Sequence, residues 1–193
     1  MMRSSVPHRL TMPLSFLNFA YGSNMSSRRL RERTPSAQPI GIGQLCGHRL
    51  VWRKRGHDGS AKCDILQTGQ TEDVVWGVLF EIAASEKPFL DQAEDLGQGY
   101  DYKTVSVLVD RQRVDAGAYF ATDIDNTQQP YDWYVAFVLA GALEHGLPSD
   151  YSSALRSLSA VVDPDGERRK RNLAILRDAE TSSSRPPRSS GPA

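Results

Sequence analysis

Cysteine is scarce in this chain: Cys46 and Cys63 are the only two in 193 residues. A domain of this length buries enough surface to hold together without a disulfide, so reduced thiols are expected. Cys46, His48, His57 and Cys63 lack the tightly spaced ligand pairs of structural zinc sites, which argues against a bound metal. Charge of one sign is not in excess either, since 23 Lys and Arg balance 23 Asp and Glu. No long-range field then draws the chain to nucleic acid or to an anionic membrane, and a small-molecule partner is the better expectation. Long apolar runs are missing. The stretch from Pro13 to Tyr21 is too short to span a bilayer and makes a poor export signal, so a cytoplasmic location is expected. A Gly-x-Ser-x-Gly elbow is absent as well, and a Ser23 nucleophile has no evident partner among His48, His57 and His145.

What is present is an ordinary globular balance, 39% hydrophobic and 24% charged residues, which suits one folded domain. Residues 1–12 show no periodicity and read as a flexible extension. The domain itself is expected over residues 13–163. Beyond Asp163-Pro164-Asp165-Gly166, a peripheral charged helix with Arg168, Arg169, Lys170 and Arg171 is expected over 164–180. The Ser-, Pro- and Gly-rich stretch 181–193 buries too little to offset ordering and is expected to be a disordered tail.

Within the domain, Ser15 to Ala20 reads as a buried strand that Gly22 breaks. Ser26 or Ser27 then caps a short helix through Arg28, Leu30, Arg31 and Arg33, which Pro35 stops. From Ile40 to Gln67 short apolar pieces alternate with turns, and Gly56-His57-Asp58-Gly59 has the make-up of a hairpin tip. Val74, Trp76, Val78, Phe80 and Ile82 share one face of a strand whose other face is also apolar. Ser85 to Glu94 reads as a short helix capped by Ser85 and interrupted at Pro88. Val105, Val107 and Val109 pair with Val114 to Ala121 across the Asp110-Arg111-Gln112 turn. Tyr131 to His145 carries apolar residues at helical spacing until Gly146 and Pro148 end it, and Ser149 caps another helix with Tyr151, Leu155 and Leu158 facing inward.

Two local features have chemistry in them. Tyr21-Gly22-Ser23-Asn24 joins a strand to a helix N-terminus, where unpaired N–H groups can hold a carboxylate. The same residues serve equally well as a simple helix cap. Asp91, Glu94 and Asp95 crowd three carboxylates at a turn, where repulsion and partial burial would raise one of them and make it a usable base. The commoner meaning of such a run is a solvated helix end. The close arginines Arg28, Arg29, Arg31 and Arg33 suggest nucleic acid, but their acidic neighbours and the zero net charge favour a solvated face or ion pairs across the domain.

Four segments in the same order resemble the gamma-glutamylcyclotransferase family. They are Phe19-Ala20-Tyr21-Gly22-Ser23-Asn24-Met25, where Leu or Met follows Asn; Val75-Trp76-Gly77-Val78-Leu79-Phe80; Leu90-Asp91-Gln92-Ala93-Glu94; and Gly141-Ala142-Leu143-Glu144-His145-Gly146-Leu147-Pro148. The resemblance implies an α+β fold, with helices around a small, curved, mixed or antiparallel, barrel-like sheet. It implies an enzyme that cyclises a gamma-glutamyl group to 5-oxoproline without a cofactor. It assigns Glu94 as acid/base, Tyr21, Gly22, Ser23 and Asn24 as the loop that binds the glutamyl part, and Tyr134 as a pocket residue. Tyr100 or Tyr102 fills the place of a family tyrosine that follows the acidic segment. The residue after the family's glutamate is usually glycine; here it is Asp95, with glycines arriving at Gly97 and Gly99. The alternative is a non-catalytic ligand-binding or interaction module that keeps the fold.

Overall fold

The computed structural model describes residues 14–183, so the expected extension 1–12 and most of the expected tail lie outside the described residues. Among the described residues seven strands and five α-helices follow one another: β1 Ser15–Ala20, α1 Ser27–Arg31, β2 Gln38–Cys46, β3 His48–Arg55, β4 Ala61–Gln67, β5 Val74–Ala83, α2 Lys87–Ala93, β6 Tyr100–Val109, β7 Gln112–Ala121, α3 Asp132–Glu144, α4 Ser149–Arg156 and α5 Gly166–Ser183. The architecture is α+β. Five strands close a barrel in the order β1-β5-β2-β6-β7, and β3 and β4 form a separate two-stranded sheet. All pairings are antiparallel except the closing one, where β1 meets β7 in parallel at Asn18 and Gly117. Among the described residues no helix is long and apolar enough to cross a membrane.

The barrel is narrow because its wall lacks side chains where Phe19 fills it. A Cβ at Gly77 would lie 2.7 Å from the Phe19 ring and 2.4 Å from the Ala20 carbonyl, and one at Gly43 would lie 3.0 Å from the same ring. At Gly77 only hydrogen fits, and at Gly43 a side chain would press on the ring. The fully buried Val75, Val78, Leu79, Phe80 and Ile82 place both faces of β5 in apolar surroundings, as its continuous run implies. β6 and β7 are joined by Asp110 and Arg111, both with positive φ (47° and 67°), the backbone that lets a two-residue turn follow the strand twist.

Three capping expectations change in detail. Pro88 sits in the first turn of α2, where its missing N–H costs nothing, so it starts the helix instead of interrupting it. Ser85 lies in a preceding 3-10 turn, Ala84–Glu86, and gives no side-chain cap. Ser149 is the first residue of α4, after Pro148 at the cap position, and Ser26 caps α1 by position without a hydroxyl bond. The charged helix α5 packs against α3. Arg168 bonds both oxygens of the buried Asp163 at 2.7 and 2.6 Å, and Arg169 reaches Asp132 at 2.7 Å.

Candidate active site

β1 ends at Ala20, and the chain turns at Gly22 into a short 3-10 segment, Ser23–Met25, before α1 begins. The main-chain N–H groups of Gly22, Ser23 and Asn24 have no main-chain partner among the described residues, as expected where a helical segment starts. Gly141 on α3 lets this turn sit close: a Cβ there would come within 2.5 Å of the Met25 and Ser26 main chain. On the other side, α2 stops at Ala93 and Glu94 takes the C-cap position, its N–H bonded to the Leu90 carbonyl at 3.0 Å. The next residue, Asp95, has a φ of 56°. An aspartate thus supplies a left-handed turn here.

These two turns meet. Glu94 Oε1 accepts a hydrogen bond from Asn24 Nδ2 at 2.7 Å, across 70 positions of sequence. The same oxygen accepts from Arg33 Nη1 at 2.9 Å, and that nitrogen also donates to Asn24 Oδ1 at 2.7 Å. Three side chains close a triangle, with Glu94 only 15% exposed and Arg33 25%. Among the described residues Glu94 Oε2 takes no hydrogen bond.

The pocket beside this triangle is lined by Tyr21, Gly22, Ser23, Asn24, Glu94, Tyr100 and Tyr134, with Cys63, Tyr119 and the end of β1 from Asn18 to Ala20 completing the wall. Seven of the eight residues proposed from the sequence therefore come together. The eighth, Tyr102, does not line the pocket: its ring lies 5.0 Å from that of Tyr119, under Lys87 Nζ at 3.7 Å, and its hydroxyl occupies the space that a side chain at Gly117 would take. Burial first, then the Asp91 charge, pushes that phenol up to about 12. Of the two, Tyr100 lines the pocket.

The hydroxyls inside the pocket are tied to main chain. Tyr21 donates to the Tyr119 carbonyl, Tyr100 donates to the Cys63 carbonyl at 2.8 Å, and Tyr134 accepts from the Cys63 N–H at 3.1 Å. Burial raises all three phenols well above their ordinary value, which keeps them neutral. Burial likewise pushes the Cys63 thiol up to about 12.

Sequence reasoning passed over Arg33, Tyr119 and Cys63. The arginine lay in view as one of four, and the expectation of ion pairs across the domain was the correct hint. Arg29 is also no solvated side chain: its guanidinium lies 4.5 Å from the Phe137 ring centre. Nothing local marks Cys63, whose role comes from its main chain. The three neighbouring carboxylates do not share a site as their spacing suggested. Asp91 accepts from Lys87 and from the Tyr119 hydroxyl, Asp95 lies 3.0 Å from His57 Nε2, and only Glu94 lines the pocket. A histidine pairing that the sequence did not reveal joins Ser27 Oγ to His145 Nε2 at 3.1 Å, but Glu144 approaches the same ring nitrogen at 3.5 Å. That geometry cannot relay a proton through the imidazole. Among the described residues no histidine lines the pocket, and no cluster of three metal-ligating side chains occurs.

Fold and site define a small α+β barrel protein that holds one glutamate against the loop between its first strand and first helix. The AIG2-like family matches residues 74–155. Gamma-glutamylcyclotransferase from Homo sapiens is 30% identical over 154 residues, covering 75% of this chain and 79% of the human one, and that from Bos taurus is equally similar at 30%. A solved gamma-glutamyl cyclotransferase superposes with a TM-score of 0.77 at 26% identity, over 85% of this chain and 99% of the other. The chain belongs to the gamma-glutamylcyclotransferase family and is an enzyme of that class.

Proposed function

We propose that the protein cyclises the gamma-glutamyl group of a small substrate to 5-oxoproline and releases the attached amine or amino acid, with Glu94 as acid and base. The observation that carries this reading is the meeting of Glu94 with Asn24 in one pocket. The alpha-amine of the substrate attacks its own gamma-carbonyl carbon. A carbon–nitrogen bond forms, the carbonyl electron pair moves to oxygen and returns, and the bond to the leaving nitrogen breaks. Glu94 takes the proton that the amine must lose and returns it to the leaving nitrogen, so that no water is consumed.

Nucleophile and electrophile belong to one molecule, so the main task of the protein is to hold a folded conformer. The N–H groups of the Gly22–Asn24 turn suit the alpha-carboxylate. Asn24 and Arg33 hold Glu94 by Oε1, which leaves Oε2 for the amine. Gamma-glutamyl dipeptides and glutathione, incubated with the purified protein, are expected to yield 5-oxoproline, and Glu94→Gln is expected to remove that yield without unfolding the protein. Undiminished turnover in the variant would reject the assignment.

A further inference from the structure

Most cations near the pocket are matched with a carboxylate: Arg33 with Glu94, Lys62 with Asp58 and Lys87 with Asp91. Lys54 is not. The residue is only 5% exposed, yet among the described residues its ammonium has neither a hydrogen bond nor an ion pair, and it lies 5.3 Å from the centre of the Tyr100 ring. Burying a charge is costly unless it is paired, so such an ammonium gains most from an opposite charge brought to it. Arg29 Nε is also unbonded, but that guanidinium rests on Phe137 at 4.5 Å and Trp133 at 6.0 Å, and neither ring lines the pocket. Tyr100 does.

The fold fixes this lysine in place. It follows an irregularity in β3 after Trp52, stands opposite Lys62 of β4 and bridges by main chain to Ile124. Gly99 leaves room beside it, since a Cβ there would lie 2.8 Å from Lys54 Nζ and 3.1 Å from Asp95 Oδ2. Asp95 forms no ion pair with Lys54 and bonds His57 at 3.0 Å instead. Because Asp95 directly follows Glu94, the Lys54 ammonium borders the turn that carries the glutamate.

We infer that Lys54, from the hairpin outside the barrel, binds a carboxylate on the part of the substrate that leaves, and so determines which leaving groups the site accepts. The inference rests on the cyclisation reading and adds a specificity-determining residue to it. The two ends of the substrate differ in what they meet. The alpha-carboxylate of the glutamyl part suits the N–H groups of the Gly22–Asn24 turn. The leaving nitrogen takes its proton from Glu94, so whatever that nitrogen carries lies on the Glu94 side. An amino acid carries its carboxylate one carbon from that nitrogen, which brings the charge toward the ammonium bordering the same turn. A carboxylate there makes a charge-assisted hydrogen bond, which a neutral amide replaces only weakly and a simple amine not at all.

The test compares gamma-glutamylalanine with gamma-glutamylalaninamide, which has nearly the same shape without the negative charge, by kcat/KM for 5-oxoproline release. The wild-type protein is expected to favour the acid by ~10–100-fold, the scale of a charge-assisted hydrogen bond. Lys54→Met keeps the unbranched chain and is expected to bring that ratio close to one, whereas Lys54→Arg keeps the charge and should retain the preference. A purely structural role lowers both rates together and leaves the ratio where it was. A Lys54→Met protein that melts like the wild type and keeps the wild-type ratio therefore overturns the inference, as does a wild-type ratio near one. Should Lys54→Met not fold, Gly99→Ala, whose methyl would press on the ammonium, is measured in its place: a reduced ratio supports the inference and an unchanged one overturns it. If the wild-type protein releases no 5-oxoproline from either compound, the cyclisation reading fails and equilibrium binding of the same two compounds decides. Tighter binding of the acid by the wild type but not by Lys54→Met then supports the lysine site; equal affinity for both compounds, or no binding, overturns it.

Discussion

Replacing Arg33 by methionine removes one corner of the triangle that holds Glu94 while keeping an unbranched side chain. The Nη1 nitrogen of Arg33 makes two bonds, to Glu94 Oε1 at 2.9 Å and to Asn24 Oδ1 at 2.7 Å. Their Coulomb attraction is ~6 kcal/mol at this separation for an effective dielectric constant of ~20, before desolvation is subtracted. Charge-assisted hydrogen bonds retain ~1.5–3 kcal/mol net. With the side chains 25% and 15% exposed, about 2 kcal/mol of stability should be lost, which for a domain of this size lowers Tm by roughly 4–8 °C. The kinetic effect is separate. Asn24 alone then orients Glu94, and misplacement of a catalytic group by an ångström costs up to ~100-fold. Arg33→Met should therefore lower kcat by roughly 10–100-fold, with a smaller change in KM. Arg33→Lys keeps the charge without the planar fork and should fall between. Steady-state 5-oxoproline release and a melting curve on the same samples give both quantities. A wild-type or higher kcat in Arg33→Met would refute the positioning argument, even if Tm falls.

Two further outcomes are expected. Gly141→Ala forces a methyl within 2.5 Å of the Met25 and Ser26 main chain, so it should cost ~1–3 kcal/mol by overpacking and also lower kcat, because the displaced turn carries Asn24; paired melting and turnover measurements check it. Asp163 is held down to about 2, first by its hydrogen bonds from Arg168. Its folded value lies below the unfolded value of about 3.9, so its contribution is fully present above that value and is lost as pH falls toward about 2. Asp163→Asn should flatten the dependence of Tm on pH in that window and destabilise the protein near neutral pH by removing the buried charge that Arg168 pairs with, leaving it only the longer contact to Asp165 at 3.8 Å.

The closed sheet explains how a short loop and a helix end come to face each other. β1 carries the loop at its end, β5 pairs along its whole length, and α2 follows β5 after one 3-10 turn, so Glu94 returns to the loop over a distance set by strand pairing. The β3–β4 hairpin, outside the barrel, reaches the same pocket through Cys63 and is tied to β7 by Asp64, which accepts from the Ala121 N–H at 2.9 Å and is itself held by Arg53 of β3 at 2.8 Å. Both walls of the site therefore depend on contacts far apart in sequence.

Local order was legible in the residues themselves. The continuous apolar run of β5, the polar turn between β6 and β7, and the glycine that ends α3 all act within a few positions, so the amino-acid order alone determined these elements. The order also determined which side chains had chemistry to offer, and the four family-like segments singled out Glu94 and the Tyr21–Asn24 loop. Tertiary structure alone decided which carboxylate of Asp91, Glu94 and Asp95 enters the pocket, that Tyr100 and not Tyr102 stands in its wall, and that Arg33 bonds Glu94. Each of those outcomes depends on the direction of a side chain toward a partner 28 to 70 positions away. Periodicity states which face a residue occupies; only barrel closure and packing state what that face meets.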